Sequence, residues 1–173
     1  MPEMKKHLFL TGDKQVGKST LLRRLMDVRQ LDCAGFETKA FYLSGERRGF
    51  TLHGRVQMPP YENDCICCVR TGEKKAAPVL ETFNQNGVDI LKLSLESAAP
   101  YILMDEIGRL ESRSEAFCAQ VLRTLDGEKR VLCVLQKCSS ALVEQIMARD
   151  DVTVLTVTEE NREEIFRRLC KIY

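Results

Sequence analysis

The stretch HLFLTGDKQVGKSTLLRRL, residues 7 to 25, constrains this chain more than any other. A short apolar run over residues 7 to 11 enters a loop bounded by glycines. From residue 18 to 30, Leu21, Leu22, Leu25 and Val28 then recur at helical spacing. The segment is therefore expected to fold as strand, loop and helix. Gly12, Gly17, Lys18 and Ser19 satisfy G-x-x-x-x-G-K-[ST], a pattern in which each residue type has a physical task. The glycines let the backbone turn its N–H groups toward phosphate oxygens, the lysine reaches the β- and γ-phosphates, and the serine hydroxyl ligates Mg²⁺. Asp13, Lys14, Gln15 and Val16 complete the loop, and Thr20 follows in the first helical turn. A chance glycine-rich turn would also match the letters, but the flanking strand and helix favour a phosphate-binding loop.

Beyond the loop, GFETKAFYL (35 to 43) and RGFTLH (48 to 53) flank a turn at Gly45 and read as a β-hairpin. Residues 54 to 78, with Gly54, Pro59, Pro60, Gly72 and Pro78, show no period and are expected to be irregular. Helices are then expected near 87 to 98, 114 to 126, 140 to 149 and 159 to 171. Strands are expected at 101 to 105, 130 to 135 and 152 to 157. Alternation of this kind implies a mainly parallel sheet covered on both faces. With 173 residues, 44% hydrophobic and 29% charged, the chain suits one domain spanning 1 to 173. Lys and Arg number 26 against 25 Asp and Glu, so no general field draws in nucleic acid or an anionic membrane. The apolar run after MPEMKK is too short for a signal peptide, and nothing approaches the roughly 18 apolar residues of a membrane span. A cytoplasmic protein is expected.

A phosphate-binding loop needs a carboxylate at the end of a buried strand to hold the metal's water shell. YILMDEIG, residues 101 to 108, supplies Asp105 for that place and Glu106 next to it, pointing into the crevice. Glu106 can take a proton from water attacking the γ-phosphorus; its other reading is a capping or salt-bridged loop acid. Transition-state charge also calls for an arginine, and Arg47, Arg48, Arg109 and Arg162 are candidates among which residue type does not choose.

At these residues the chain resembles the cancer-related nucleoside-triphosphatase family of small P-loop proteins. The likeness rests on GDKQVGKSTL, CAGFETKAF with ERRGF, YILMDEIGRLE and TEENREEI, in that order over nearly the whole chain. It implies an α/β fold, a P-loop NTPase three-layer sandwich with a mainly parallel sheet and a β-hairpin after the first helix. It also implies Mg²⁺-dependent hydrolysis of several nucleoside triphosphates to diphosphate and phosphate, with loose base preference. Residue by residue, it marks Gly12, Gly17, Lys18, Ser19 and Thr20 as the phosphate and Mg²⁺ site. Asp105 becomes the metal-linked acid and Glu106 the base. Thr38, Arg48, Glu111, Asn161 and Arg162 are raised as near-site candidates, with Arg48 and Arg162 as the catalytic arginines. The chain departs from the family at Lys39 to Tyr42, where an acid and then an arginine are common. It departs again in CICCVRTGEKK, where a G-K-Y-G-V-like stretch is usual.

Two other functions fit the loop. One is a kinase that passes phosphate to a nucleoside or small metabolite, although no late arginine-rich lid insertion is present. The other is a nucleotide-dependent switch or assembly module whose protein partner docks on residues 54 to 78. A guanine-specific switch is disfavoured, because Gln136, Lys137, Cys138 and Ser139 stand where N-K-x-D would read the base. Among eight cysteines, Cys65, Cys67 and Cys68 form half of a zinc motif, with His53 or Cys33 as a conceivable fourth ligand. Partly buried reduced thiols are the preferred reading, and a Cys65–Cys68 redox pair is weaker than either. Cys118, Cys133, Cys138 and Cys170 fall where small core residues belong.

Overall fold

A computed structural model describes residues 3–72 and 75–173. Met1 and Pro2 of the opening segment, and Glu73 and Lys74 of CICCVRTGEKK, lie outside the described residues. The chain forms β1 (His7–Thr11), α1 (Lys18–Arg29), the hairpin β2 (Cys33–Leu43) and β3 (Glu46–Gly54), β4 (Cys65–Arg70) and β5 (Ala76–Pro78). A helix follows that opens as α2 (Leu80–Thr82), widens into a π turn (Phe83–Gly87) and continues as α3 (Val88–Glu96). Then come β6 (Tyr101–Ile107), α4 (Glu115–Asp126), β7 (Arg130–Leu135), α5 (Ala141–Met147), β8 (Val152–Thr156) and α6 (Arg162–Ile172).

The eight strands form one sheet in the order β5-β4-β3-β2-β6-β7-β1-β8. From β2 to β8 neighbouring strands are parallel, and β2 to β5 are joined by antiparallel pairings. The period of two in each central strand divides its side chains between two cores. Phe9, Ile102, Met104, Val131 and Cys133 face one side, with α3, α4 and α5 packed over them through Ile90, Phe117, Val121 and Ile146. Leu8, Leu10, Leu103, Leu132 and Val134 face the other, beneath Leu22 and Leu25 of α1 and Ile165 and Leu169 of α6. The result is the three-layer α/β sandwich with its hairpin after the first helix.

The expectation that 54 to 78 is irregular fails. Residues 65–70 and 76–78 extend the sheet as β4 and β5, and Pro60–Glu62 is a 3₁₀ turn. Pro59, Pro60 and Gly72 fall outside the strands, while Pro78 ends the edge strand β5, where a missing N–H is tolerated. β4 also hides its period. Phe50 pairs with Cys68 and Thr51 with Ile66, so Cys67 is an extra residue. This bulge lets consecutive side chains, Cys67 and Cys68, both enter the same core. The helix before β6 begins earlier than its apolar spacing suggests, because the π turn breaks the 3.6-residue period. No described helix is long and apolar enough to cross a membrane.

The junction of hairpin and parallel sheet depends on one glycine. Gly35 pairs with Leu103 at a φ of 98°, and a Cβ there would lie 2.0 Å from the Leu103 carbonyl oxygen. Its N–H donates to Ser94 Oγ (2.9 Å) and its carbonyl accepts from the Arg55 N–H (2.8 Å), so the backbone cannot shift without losing both bonds. Gly35→Ala is expected to cost about 3 kcal/mol or more through strain and a displaced β6. Thermal denaturation checks this; an unchanged midpoint would contradict it.

Candidate active site

The glycine-bounded loop leaves β1 at the C-terminal edge of the sheet. Gly12 has a φ of 135°, and a Cβ on it would stand 2.2 Å from the Val157 carbonyl oxygen, so only hydrogen fits between loop and β8 end. Gly17 caps α1 in the left-handed region, and the first turn of α1 presents its N–H groups toward the loop. Lys18, 8% exposed, lies inside that curve, with Nζ donating to the carbonyls of Gly12 (2.9 Å) and Asp13 (2.6 Å). Burial lowers its pKa, and the charges of Glu106, Asp13 and Asp105 oppose that shift.

Asp105 ends the buried stretch of β6. Ser19 Oγ donates to Asp105 Oδ1 at 2.8 Å, bringing together the two groups read as metal ligands. A hydroxyl and a carboxylate are hard oxygen donors, the set that suits Mg²⁺. Burial raises the Asp105 pKa against the Ser19 hydrogen bond and Arg23, whose Nη2 stands 3.7 Å from Asp105 Oδ2. Arg23 escaped the sequence reading, although it follows Ser19 by four residues and so shares its helix face.

Glu106 follows, and the peptide joining the two acids is cis. Its pKa is raised by burial and then by Asp105, with Lys18 and Lys14 pulling it down. At Glu106 the pairing of β6 with β7 shifts register, and Gln136, directly after β7, stands beside it. The Gln136 N–H donates to the Ile107 carbonyl (2.7 Å), its Oε1 accepts from the Arg109 N–H (3.1 Å), and its Nε2 faces Glu106 Oε1 at 3.5 Å. Gly108 allows this approach, since a Cβ there would come 2.5 Å from Gln136 Oε1. Gln136 is a second residue that sequence reasoning missed as part of the site. The signal was a lone polar residue directly after the apolar run VLCVL.

The arginines part company. Arg162 runs beside the loop, with Nη1 3.6 Å from where a Gly17 Cβ would sit. There it lines a small cavity with Thr20, Leu21, Arg24 and Glu163. Arg48 lies near the hairpin turn, half exposed and paired with Glu46 at 3.1 Å. Along β2 that is well past Glu37, the residue level with Asp105. Arg109 is exposed on the loop after β6. Thr38 is one residue past that level on β2. Asn161 shapes the turn into α6, accepting from the Thr158 N–H (2.8 Å) and donating to the Thr156 carbonyl (2.9 Å). Asp13, exposed, pairs with Lys137 at 3.3 Å.

The geometry separates the cysteines proposed as zinc ligands. Cys67 and Cys68 point into the core, Cys65 lies at the start of β4 against the Tyr61 carbonyl, and Cys33 belongs to the core on the opposite face of the sheet. His53 is engaged by Asp64 at 2.9 Å. Among the described residues no group of three or more His, Cys, Asp or Glu is placed to hold a metal ion. Burial pushes the Cys67 thiol up to about 12, far from thiolate chemistry at neutral pH.

The family model described as NTPase matches residues 7–170. The chain is similar to nucleoside-triphosphatase THEP1 of Thermotoga petrophila, 33% identical over 95% of this chain and 91% of that one. It is also similar to the human cancer-related nucleoside-triphosphatase, 32% identical over 94% and 93%. The solution structure of a human cancer-related nucleoside triphosphatase superposes with a TM-score of 0.71 at 29% identity, covering 96% of each chain. The crystal structure of THEP1 from Aquifex aeolicus gives 0.76 at 22% identity over 96% and 98%, a likeness of fold.

Glu111, in the 3₁₀ turn after β6, is buried, and burial raises its pKa to about 7. The N–H groups of Glu111 and Gly108 lower it, and Glu106 adds to the rise. With the folded pKa above the unfolded value of 4.5, the unfolded chain gives up this proton first as pH rises. The acid's contribution to stability is therefore full below about 4.5 and is lost between 4.5 and 7. Glu111→Gln is expected to stabilise the protein by about 3 kcal/mol at pH 8 and scarcely at pH 4.5. Urea unfolding at the two pH values checks this; an equal effect at both would contradict it.

Proposed function

Because the chain belongs to the NTPase family and its relatives are nucleoside-triphosphatases, we propose that it hydrolyses nucleoside triphosphates to diphosphate and phosphate with Mg²⁺. The observation that carries this reading is the 2.8 Å bond between Ser19 and Asp105, with Glu106 beside it and near enough to Lys18 to oppose the lowering of its pKa.

In this reading the N–H groups of the loop from Asp13 to Thr20 cradle the phosphates, and Lys18 exchanges its two carbonyl partners for phosphate oxygens. Ser19 and Asp105 would hold Mg²⁺, which would offset the negative charge of the phosphates. Glu106 orients a water and takes its proton as the water oxygen bonds to the γ-phosphorus and the bond to the bridging oxygen breaks. A pKa raised toward neutrality makes Glu106 a better proton acceptor, and the Lys18 charge favours its ionised form. Gln136 holds Glu106 and the backbone of Arg109 in one arrangement, acting as a positioning residue. Arg162 lies along the loop at Gly17 and Thr20, where it meets phosphate charge. Arg48 would reach the site only by movement of the hairpin. Ser139 stands where the guanine-reading aspartate of N-K-x-D would be, and Gln136, at the start of that stretch, turns its amide to Glu106 and Arg109, which supports loose base selection.

The test is phosphate release from ATP, GTP, CTP and UTP. Release from several of the four is expected, lost on addition of EDTA and lowered about 100-fold or more in Lys18→Ala. Gln136→Ala should lower kcat about tenfold and leave KM close to wild type. Release that persists in Lys18→Ala would contradict the assignment of the loop.

A further inference from the structure

Beside α1, on the flank away from Arg162, lies a groove of about 390 Å³ that the reaction above does not use. Its walls are one face of α1 (Arg23, Met26 and Asp27), one face of β2 (Glu37 and Lys39) and Arg55 just after β3. The size falls within the range of small-molecule sites. Three cations converge on Glu37, whose side chain is 13% exposed: Lys39 Nζ at 3.6 Å, Arg55 Nη1 at 3.9 Å and Arg23 Nε at 4.0 Å. All three distances exceed those of hydrogen-bonded ion pairs, so one carboxylate is shared loosely among three donors. Arg55 is anchored separately, its Nε donating to the Cys33 carbonyl at 3.1 Å, which leaves the rest of its fork turned to the groove. With Asp27 counted, the walls carry three positive and two negative side chains.

We infer that this groove binds a phosphate group, either as inorganic phosphate or as the monoester of a small hydroxyl-bearing molecule. A tetrahedral dianion presents oxygens in three dimensions and can close on an arginine fork and a lysine together, whereas the planar Glu37 carboxylate stands 3.6 Å or more from each of its three cations. Glu37 and Asp27 would then accept hydrogen bonds from hydroxyls on the same ligand. Met26 supplies the apolar side against which a carbon skeleton can rest. The position gives the subsite a link to the reaction, because Arg23 faces Glu37 with Nε and Asp105 with Nη2. A phosphate in the groove thus competes with Asp105 for the same guanidinium. This placement draws on the proposed function only for the role of Asp105; the binding itself stands apart from hydrolysis.

Calorimetric titration with inorganic phosphate, ribose 5-phosphate and neutral ribose tests it, with Mg²⁺ and β,γ-methylene-ATP present to occupy the loop. Saturable binding is expected for one or both phosphates and none for ribose. Comparison of the two phosphates tells the free ion from the monoester. Lys39→Glu and Arg55→Gln should each weaken that binding at least tenfold, with unfolding midpoints and the KM for ATP near wild type. Lys18→Ala should retain it, which keeps the result readable even where the loop takes no nucleotide. Absence of phosphate binding, or binding that survives Lys39→Glu and Arg55→Gln but disappears in Lys18→Ala, would overturn the proposal.

Discussion

The hydrogen bond from Ser19 to Asp105 joins two elements that are not neighbours in the sheet. β1 delivers the loop and α1, β6 delivers the acids, and β7 runs between them. Everything at the C-terminal edge depends on that spacing. Because β7 intervenes, the residue that follows it, Gln136, falls between loop and acids, with contacts to Ile107, Arg109 and Glu106. The register shift between Asp105 and Ile107 leaves Glu106 out of the ladder, while Ile107 still pairs with Leu135, and the Gln136 amide stands beside Glu106. Gly108 leaves room for that amide.

The same arrangement concentrates charge where solvent is scarce. Asp105, Glu106 and Glu111 all have pKa values raised chiefly by burial, while Lys18 is lowered by the same cause. Opposite charges moderate these shifts, with Lys18 favouring ionised Glu106 and Arg23 favouring ionised Asp105. Such a set is costly for folding and suited to holding a polyanion and its cation, where stabilisation of developing charge dominates phosphoryl transfer. The two flanks of α1 then differ. Arg24 is held by Glu163 at 2.6 Å near Arg162, whereas Arg23 is shared between Asp105 and Glu37 at longer range.

Much of this was legible from residue order. GDKQVGKST announced the loop because glycine, lysine and serine are each required at fixed spacing, and YILMDEIG announced the acids because an apolar run ended in two carboxylates. The three layers followed from alternation of strands and helices. What stayed hidden had local causes. The bulge at Cys67 removed the period of two from β4, and the π turn at Phe83–Gly87 removed the helical period before α3. Arg23 and Gln136 carry no motif of their own. Their parts depend on which strands are neighbours, and residue order does not contain that. Arg48 and Arg162 looked alike as candidates; the hairpin carries Arg48 well past the level of Asp105, whereas α6 begins with Arg162 beside Gly17.

The central claim is that the adjacent acids divide the work, Asp105 with Ser19 at the metal and Glu106 at the water. Equilibrium binding and single-turnover hydrolysis of Mg²⁺·ATP, measured in parallel on Glu106→Gln and Asp105→Asn, test it most directly. The account predicts that Glu106→Gln binds ATP close to wild type but turns it over about 100-fold more slowly, whereas Asp105→Asn needs markedly more Mg²⁺ for both. Wild-type turnover in Glu106→Gln, or the same Mg²⁺ dependence in both variants, would contradict it.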